Sequence, residues 1–138
     1  MGAVGVAALL AAKSVGVRHV IAVDAVDAKL EIATTLGADH TINTREVKGL
    51  ATSIRDIFPD GVNHILDTTG LEVLLQESLK ALTHEGTLAL VGVPLARPVI
   101  KSVLWIYYSL ARGSLVWLKE ERIRRQYVFC LLSPLCCT

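Results

Sequence analysis

Gly2 and Gly5 open an apolar, alanine-rich run, and Asp24 closes the apolar run that follows. This is the back of a Gly-x-Gly-x-x-Gly fingerprint, in which an acid follows at roughly 20 residues. The residue types suit one task, the holding of a dinucleotide. Gly2 lets backbone approach a pyrophosphate with no side chain in the way. Gly5 lets a helix pack tightly on its strand. The helix N-terminus offers unpaired N–H groups and partial positive charge to the phosphates. Asp24 can accept hydrogen bonds from the adenosine ribose, and its charge opposes a 2′-phosphate, which favours NAD over NADP. Ala25 supplies no cation for that phosphate. Blander readings stand beside these. Gly2 and Gly5 also suit an ordinary helix entry with tight packing, and Asp24 also suits a strand-end turn.

The other chemistry-bearing residues form no such pattern. His19, His40, His64 and His84 are scattered at strand or loop edges without a partner motif. Lys13 reads as a charge at a helix C-terminus. Lys29 reads as a surface helix residue or a second ribose contact. The run from Lys119 to Arg125 reads as a solvated face. Cys130, Cys136 and Cys137 crowd one end of the chain, at no spacing that makes a disulfide framework or a zinc site. They read as reduced thiols. The Tyr-x-x-x-Lys pair of short-chain dehydrogenases is absent, because Ala111 and Arg112 stand at that spacing from Tyr107 and Tyr108.

These residues need elements to position them. Residues 3–13 are rich in Ala, Leu and Val and predict a helix that Gly16 stops. His19 to Asp24 predicts a buried strand, Asp27 to Leu36 a helix ended by Gly37, and Ala38 to Ile42 a short strand. Glu46 to Phe58 predicts a helix with Val47, Leu50, Ile54 and Ile57 on one face, followed by a Pro59-Asp60-Gly61 turn. Val62 to Asp67 predicts a strand, Leu71 to Leu82 a leucine-faced helix, and Thr87 to Val91 a strand closed by Gly92 and Pro94. Helix and strand alternate, which means a parallel sheet covered on both faces. The rhythm degrades after Pro98, and Tyr127 to Thr138 fits no strand–helix unit. It suits either a docked edge element or a segment with no folded role.

With 138 residues the chain holds one domain at most. At 52% hydrophobic and 20% charged it is globular, and with 5% aromatic residues its core is aliphatic. A net charge of +1 provides no global field for nucleic acid or an anionic membrane. The apolar run Ala3–Ala12 lacks a preceding basic region, so it is no signal peptide. Ser102–Ala111 is far short of the ~20 residues of a span. A cytoplasmic location is the simplest expectation.

The motifs resemble the coenzyme domain of zinc-type alcohol dehydrogenases, the medium-chain dehydrogenase/reductase family, with aryl-alcohol and other NAD-dependent members most similar. The resemblance rests on Gly2-Ala3-Val4-Gly5, Ala12-Lys13-Ser14-Val15-Gly16, Val20-Ile21-Ala22-Val23-Asp24, Lys29-Leu30 and Leu36-Gly37-Ala38. It continues through Asp67-Thr68-Thr69-Gly70 and the stretch from Gly86 to Pro94, and so covers roughly residues 2–95. It implies NAD as cofactor. Gly2, Ala3, Val4 and Gly5 would meet the phosphates, and Asp24 and Lys29 the adenosine ribose. Thr68, Thr69 and Gly70 would line the adenine side, and Val91, Gly92 and Val93 the nicotinamide. It implies alcohol or aldehyde oxidoreduction by hydride transfer, and the possibility of a homo-oligomer.

The same resemblance implies departures. The family's catalytic zinc belongs to a separate N-terminal domain, so zinc is expected only there and not in these residues. Met1 falls between the fingerprint's first two glycines. The expected fold is thus a Rossmann-type doubly wound parallel sheet lacking its first strand, which would leave His19–Asp24 and Val62–Asp67 without their shared neighbour. Residues 1–118 are expected to form a partial dinucleotide-binding domain and 119–138 an atypical tail. The leading expectation is the NAD-binding part of a dehydrogenase, represented incompletely and not catalytic by itself. The alternatives are an NAD-binding or interaction module without catalysis and a methyltransferase-like domain, since those also place an acid at the second strand end.

Overall fold

A computed structural model describes residues 2–91 and 128–132. Gly92, Val93, the aromatic stretch 99–118 and the charge run 119–125 lie outside the described residues. The elements run α1 (Ala3–Ser14), β1 (His19–Asp24), α2 (Asp27–Thr35), β2 (His40–Asn43), α3 (Leu50–Ile57), β3 (Val62–Asp67), α4 (Glu72–Ala81), β4 (Leu82–Leu90) and β5 (Val128–Leu132). All pairings are parallel, in the order β2-β1-β5-β3-β4.

β1 shows why the strands read as continuous apolar runs. Val20 and Ala22 enter one core with Leu9 and Ala12 of α1 and Leu30 and Ala33 of α2. Ile21 and Val23 enter the other, with Ile54 of α3 and Leu75 of α4. Alternate residues point to opposite faces, and helices cover both, so the four positions between His19 and Asp24 are all apolar.

Three element starts differ from expectation by two or more residues. β2 starts at His40 rather than Ala38, because Ala38 N–H still bonds to Ala33 O in the helix-ending turn. α3 starts at Leu50 rather than Glu46. Asn43 holds the amide of Arg45 through its side chain and the amide of Glu46 through its carbonyl, so the chain turns there first. The delayed helix start has no cap of its own; Glu77 Oε2 reaches from α4 to accept the Ala51 amide. That amide and, before it, the Lys80 ammonium hold the Glu77 carboxyl below its ordinary range. β4 begins at Leu82, directly after α4, and is longer than the expected Thr87–Val91. Val62 pairs with Leu82 before a register shift brings Thr87 opposite His64. The tight approach of these chains requires glycine at Gly61, which has φ +89° and where a Cβ would lie 2.5 Å from the Ala81 carbonyl oxygen.

The expectation that β1 and β3 lack a shared neighbour is corrected by β5. Residues 128–132 run between them, with Val20 and His64 both opposite Phe129, and Ile21 and Ile65 both opposite Cys130. In the dinucleotide-binding order 3-2-1-4-5-6, this is the place of strand 1. The segment is therefore an inner strand, not an edge element or an unfolded end. The reason is backbone hydrogen bonding. Two inner edges facing one another across one strand's width need a partner for every N–H and C=O. A five-residue apolar segment, VFCLL, satisfies both sides.

At the amino end of the sheet, Lys13 Nζ binds Asp39 Oδ2 at 2.6 Å, and the same oxygen accepts the Val20 amide at 2.8 Å. This ties the end of α1 to the start of β1. Burial alone would raise the Asp39 carboxyl, but the Lys13 and Val20 bonds outweigh it and hold it below 3.8.

Two expected outcomes follow from this architecture. Phe129→Pro removes an inner-strand N–H and leaves a carbonyl of β1 or β3 without a donor, at a cost of about 1–3 kcal/mol. A urea-unfolding midpoint equal to wild type would show that β5 is not an inner strand. For Asp39, the depressed carboxyl contributes stability that is present above pH 3.8 and lost as pH falls through its folded value. Lys13→Met should flatten the fall in melting temperature between neutral pH and pH 3. Parallel profiles for the two proteins would exclude a contribution from the pair.

Candidate functional site

In an open parallel sheet the ligand crevice lies outside the carboxyl ends of the strands. β1 ends there at Asp24, β2 at Asn43, β3 at Asp67 and β5 at Leu132. The register places Asp24 opposite Asn43, and both Val23 and Asp67 opposite Leu132. Asp24 and Asp67 therefore flank the end of the central strand almost level with each other.

α1 brings its N-terminus to the same end. Its C-terminal Lys13 is anchored beside the start of β1, and Leu9 and Ala12 pack on the sheet. A helix of 12 residues rises about 18 Å, and a strand of 6 residues spans about 20 Å, so the two run the same distance. Gly2 is the N-cap, with extended backbone and no side-chain cap bond on α1. No heavy atom lies within 4 Å of where a Cβ on Gly2 would stand. Ala3 and Val4 follow, exposed, on the first turn, and Gly5 is buried against the sheet.

Asp24 is only 2% exposed. Its Oδ1 accepts the amides of Ala25 at 2.7 Å and Val26 at 3.0 Å. The turn-acid reading of this residue is thus realised: the carboxylate shapes the chain from β1 into α2. Lys29 sits half-buried in the first turn of α2, three residues beyond that turn. Asn43 completes the corner, donating from Nδ2 to Asp27 Oδ1 at 2.6 Å.

The second corner follows β3. Asp67 is fully buried; its Oδ1 accepts Thr69 N–H at 2.8 Å and Thr69 Oγ1–H at 2.6 Å, and its Oδ2 accepts Gly70 N–H at 3.0 Å. Thr68 is buried at this turn, and Thr69 and Gly70 are half-buried. Gly70 has φ +63°, a conformation that glycine adopts at no steric cost. Val91 is brought to the same end by its amide, which donates to the Asp67 carbonyl at 2.8 Å.

The structure thus gathers Gly2, Ala3, Val4, Gly5, Asp24, Lys29, Thr68, Thr69, Gly70 and Val91 at one end of the sheet; Gly92 and Val93 lie outside the described residues. Sequence reasoning passed over Asp67 and Asn43. The signal for Asp67 was present, since it ends an apolar strand as Asp24 does and precedes Thr-Thr-Gly. His64 lies in mid-strand rather than at this end, and burial pushes its imidazole down, toward the neutral form. A cavity of about 350 Å³ lined by Arg18, His19, Phe58 and Asn63 is at the opposite, amino end. Among the described residues no group of three or more His, Cys, Asp or Glu could hold a metal ion. No helix among them is long and apolar enough to cross a membrane.

Fold and strand-end geometry define a Rossmann-like, doubly wound α/β domain. Residues 3–128 match the zinc-binding dehydrogenase family, and the chain belongs to that family. Its relatives are medium-chain alcohol dehydrogenases. A geraniol dehydrogenase of Castellaniella defragrans is 33% identical over 93 residues, covering 67% of this chain and 25% of the relative. A sorbitol dehydrogenase of Bacillus subtilis is 40% identical over 95 residues, covering 68% and 27%. Among solved structures, the benzyl alcohol dehydrogenase of Acinetobacter calcoaceticus superposes with a TM-score of 0.65 at 32% identity, covering 95% of this chain and 32% of that one. The chain spans about a quarter to a third of the length of these relatives.

The turn role of Asp24 has a measurable consequence without any ligand. Asp24→Ala removes the acceptor of two amides and should lower unfolding stability by about 1.5–3 kcal/mol, while Asp24→Asn keeps an acceptor oxygen and should lose less. Equal urea midpoints for wild type and Asp24→Ala would show that water replaces the carboxylate at this turn.

Proposed function

We propose that this chain is the NAD-binding part of an alcohol or aldehyde oxidoreductase, binding the cofactor without turning it over by itself. The observation that carries the reading is the convergence, at the carboxyl ends of neighbouring strands, of a helix N-terminus that takes no side-chain cap bond among the described residues and two acid-anchored turns. The donor set fits a dinucleotide. The first N–H groups of α1 suit the pyrophosphate. Asp24, with Lys29 on the next helical turn, suits the adenosine ribose. Thr68, Thr69 and Gly70 suit the adenine side, and Val91 with Gly92 and Val93 the nicotinamide side.

When bound, NAD supplies the hydride acceptor, and its reduced form the donor. The role of these residues is to bind and orient it. The described residues offer no ligand set for zinc, so no step through a metal is assigned to them, and any alcohol-polarising zinc belongs to a catalytic domain beyond these 138 residues. Family membership supports the oxidoreductase class, and the particular alcohol or aldehyde is not specified by this part of the molecule. Nucleic acid and membrane are not partners in this reading. Self-association, if it occurs, follows the family, and the location is the cytoplasm.

The test is a fluorescence titration of NADH into the purified chain. Saturable binding is expected, and Asp24→Asn should weaken it about tenfold, the loss of one charged hydrogen bond. NADPH should bind wild type more weakly than NADH, and this gap should narrow in Asp24→Asn. Failure of wild type to bind NADH, or unchanged affinity in the variant, would reject the reading.

A further inference from the structure

We propose that Asp67 is a positioning residue for the adenine-side turn, acting through Thr69 and Gly70 without touching the cofactor itself. The inference rests on the cofactor-binding reading above and deepens it. Asp67 is fully buried, and its carboxylate receives three donors: Thr69 N–H, Thr69 Oγ1–H and Gly70 N–H. An ionised carboxylate is the side chain of this size that only accepts. A carboxamide of the same shape must turn its NH₂ toward at least one of these donors, and no solvent reaches the site to relieve the conflict.

The network is directional. Leu71 N–H donates to Thr69 Oγ1 at 3.0 Å, and that hydroxyl donates on to Asp67 Oδ1. Leu71 is the N-cap of α4, so one chain of hydrogen bonds fixes the strand end, the turn and the helix start. The Asp67 carbonyl also accepts Val91 N–H, which ties the end of β4 to the same residue. Thr69 and Gly70 are the parts of this turn left partly open toward the crevice. Their placement is set by a carboxylate behind them. Gly70, at φ +63°, takes a left-handed conformation open to glycine, and its amide is fixed there by Asp67 Oδ2.

The test uses the full chain and three probes: NADH, AMP and inorganic pyrophosphate. Wild type is compared with Asp67→Asn, Thr69→Val and Thr69→Ser. Thr69→Val leaves the carboxylate in place and removes the hydroxyl relay, so it keeps the test open if Asp67→Asn folds poorly. Asp67→Asn and Thr69→Val should each weaken AMP and NADH roughly tenfold. Pyrophosphate, which meets only the α1 end, should bind all four proteins alike, and Thr69→Ser, which keeps the hydroxyl relay, should recover most of the AMP affinity lost in Thr69→Val. Parallel loss of AMP and pyrophosphate would overturn the proposal, because a general loss of structure moves both. Wild-type NADH binding with unchanged affinity in Asp67→Asn and Thr69→Val would overturn it while leaving the cofactor reading intact. Absence of NADH binding to wild type would remove the reading and this inference together.

Discussion

Every other feature of this domain depends on the pairing of β5 with both β1 and β3. Among the described residues it alone joins the two halves of the sheet by strand pairing, and one apolar core, with Ile21 and Val23 beside Ile65 and Leu88, spans them as well. β2 and β1 form one half of the sheet, and β3 and β4 the other. In a parallel sheet covered on both faces, water cannot serve the inner backbone groups. A strand must therefore fill the central place, and here residues 128–132 stand there. This separates two things that the dinucleotide fingerprint normally joins in one turn: the central strand and the helix that receives the phosphates. In this chain they meet in space without being consecutive in sequence.

The site repeats one device. Each of β1 and β3 ends in a buried aspartate that turns its carboxylate back onto the amides of its own following residues. Asp24 does so with two amides, and Asp67 with two amides and a hydroxyl. Buried carboxylates are costly unless hydrogen-bonded, and a strand end followed by a tight turn supplies N–H donors at once. The same geometry that satisfies the acid also points the next few residues across the crevice. For Asp24 the hydrogen bonds show the turn role. A residue that holds its turn rigidly is also one that presents itself, and the residues after it, at a fixed place.

The family assignment and the geometry speak to different parts of a dehydrogenase. What this domain supplies is a scaffold with one working end. Its opposite end carries ring contacts of Phe58 with His19 and His40, beside the cavity at that end, and the short ion pair of Lys13 with Asp39.

Much of this was legible in the residues themselves. Apolar runs closed by acids marked β1 and β3, glycines marked the ends of helices, and the alternation of helix with strand implied a parallel sheet. Gly2, Gly5 and Asp24 marked the end of the sheet at which they stand, because a glycine-bounded helix start and an acid closing an apolar run both belong to the carboxyl ends of strands. Asp67 was passed over because nothing in its type distinguishes a cofactor contact from an anchor; that depends on which donors surround it. The start of α3 was misplaced because its capping group, Glu77, comes from another helix. The largest departure was β5. A short apolar segment near a chain end carries no signal of its partners, since strand pairing is settled by which edges lie open in the folded sheet. The sequence determined the elements and the chemistry at their ends. Tertiary structure alone decided which segment stands at the centre, because a strand's place is chosen by the hydrogen bonds its neighbours still require.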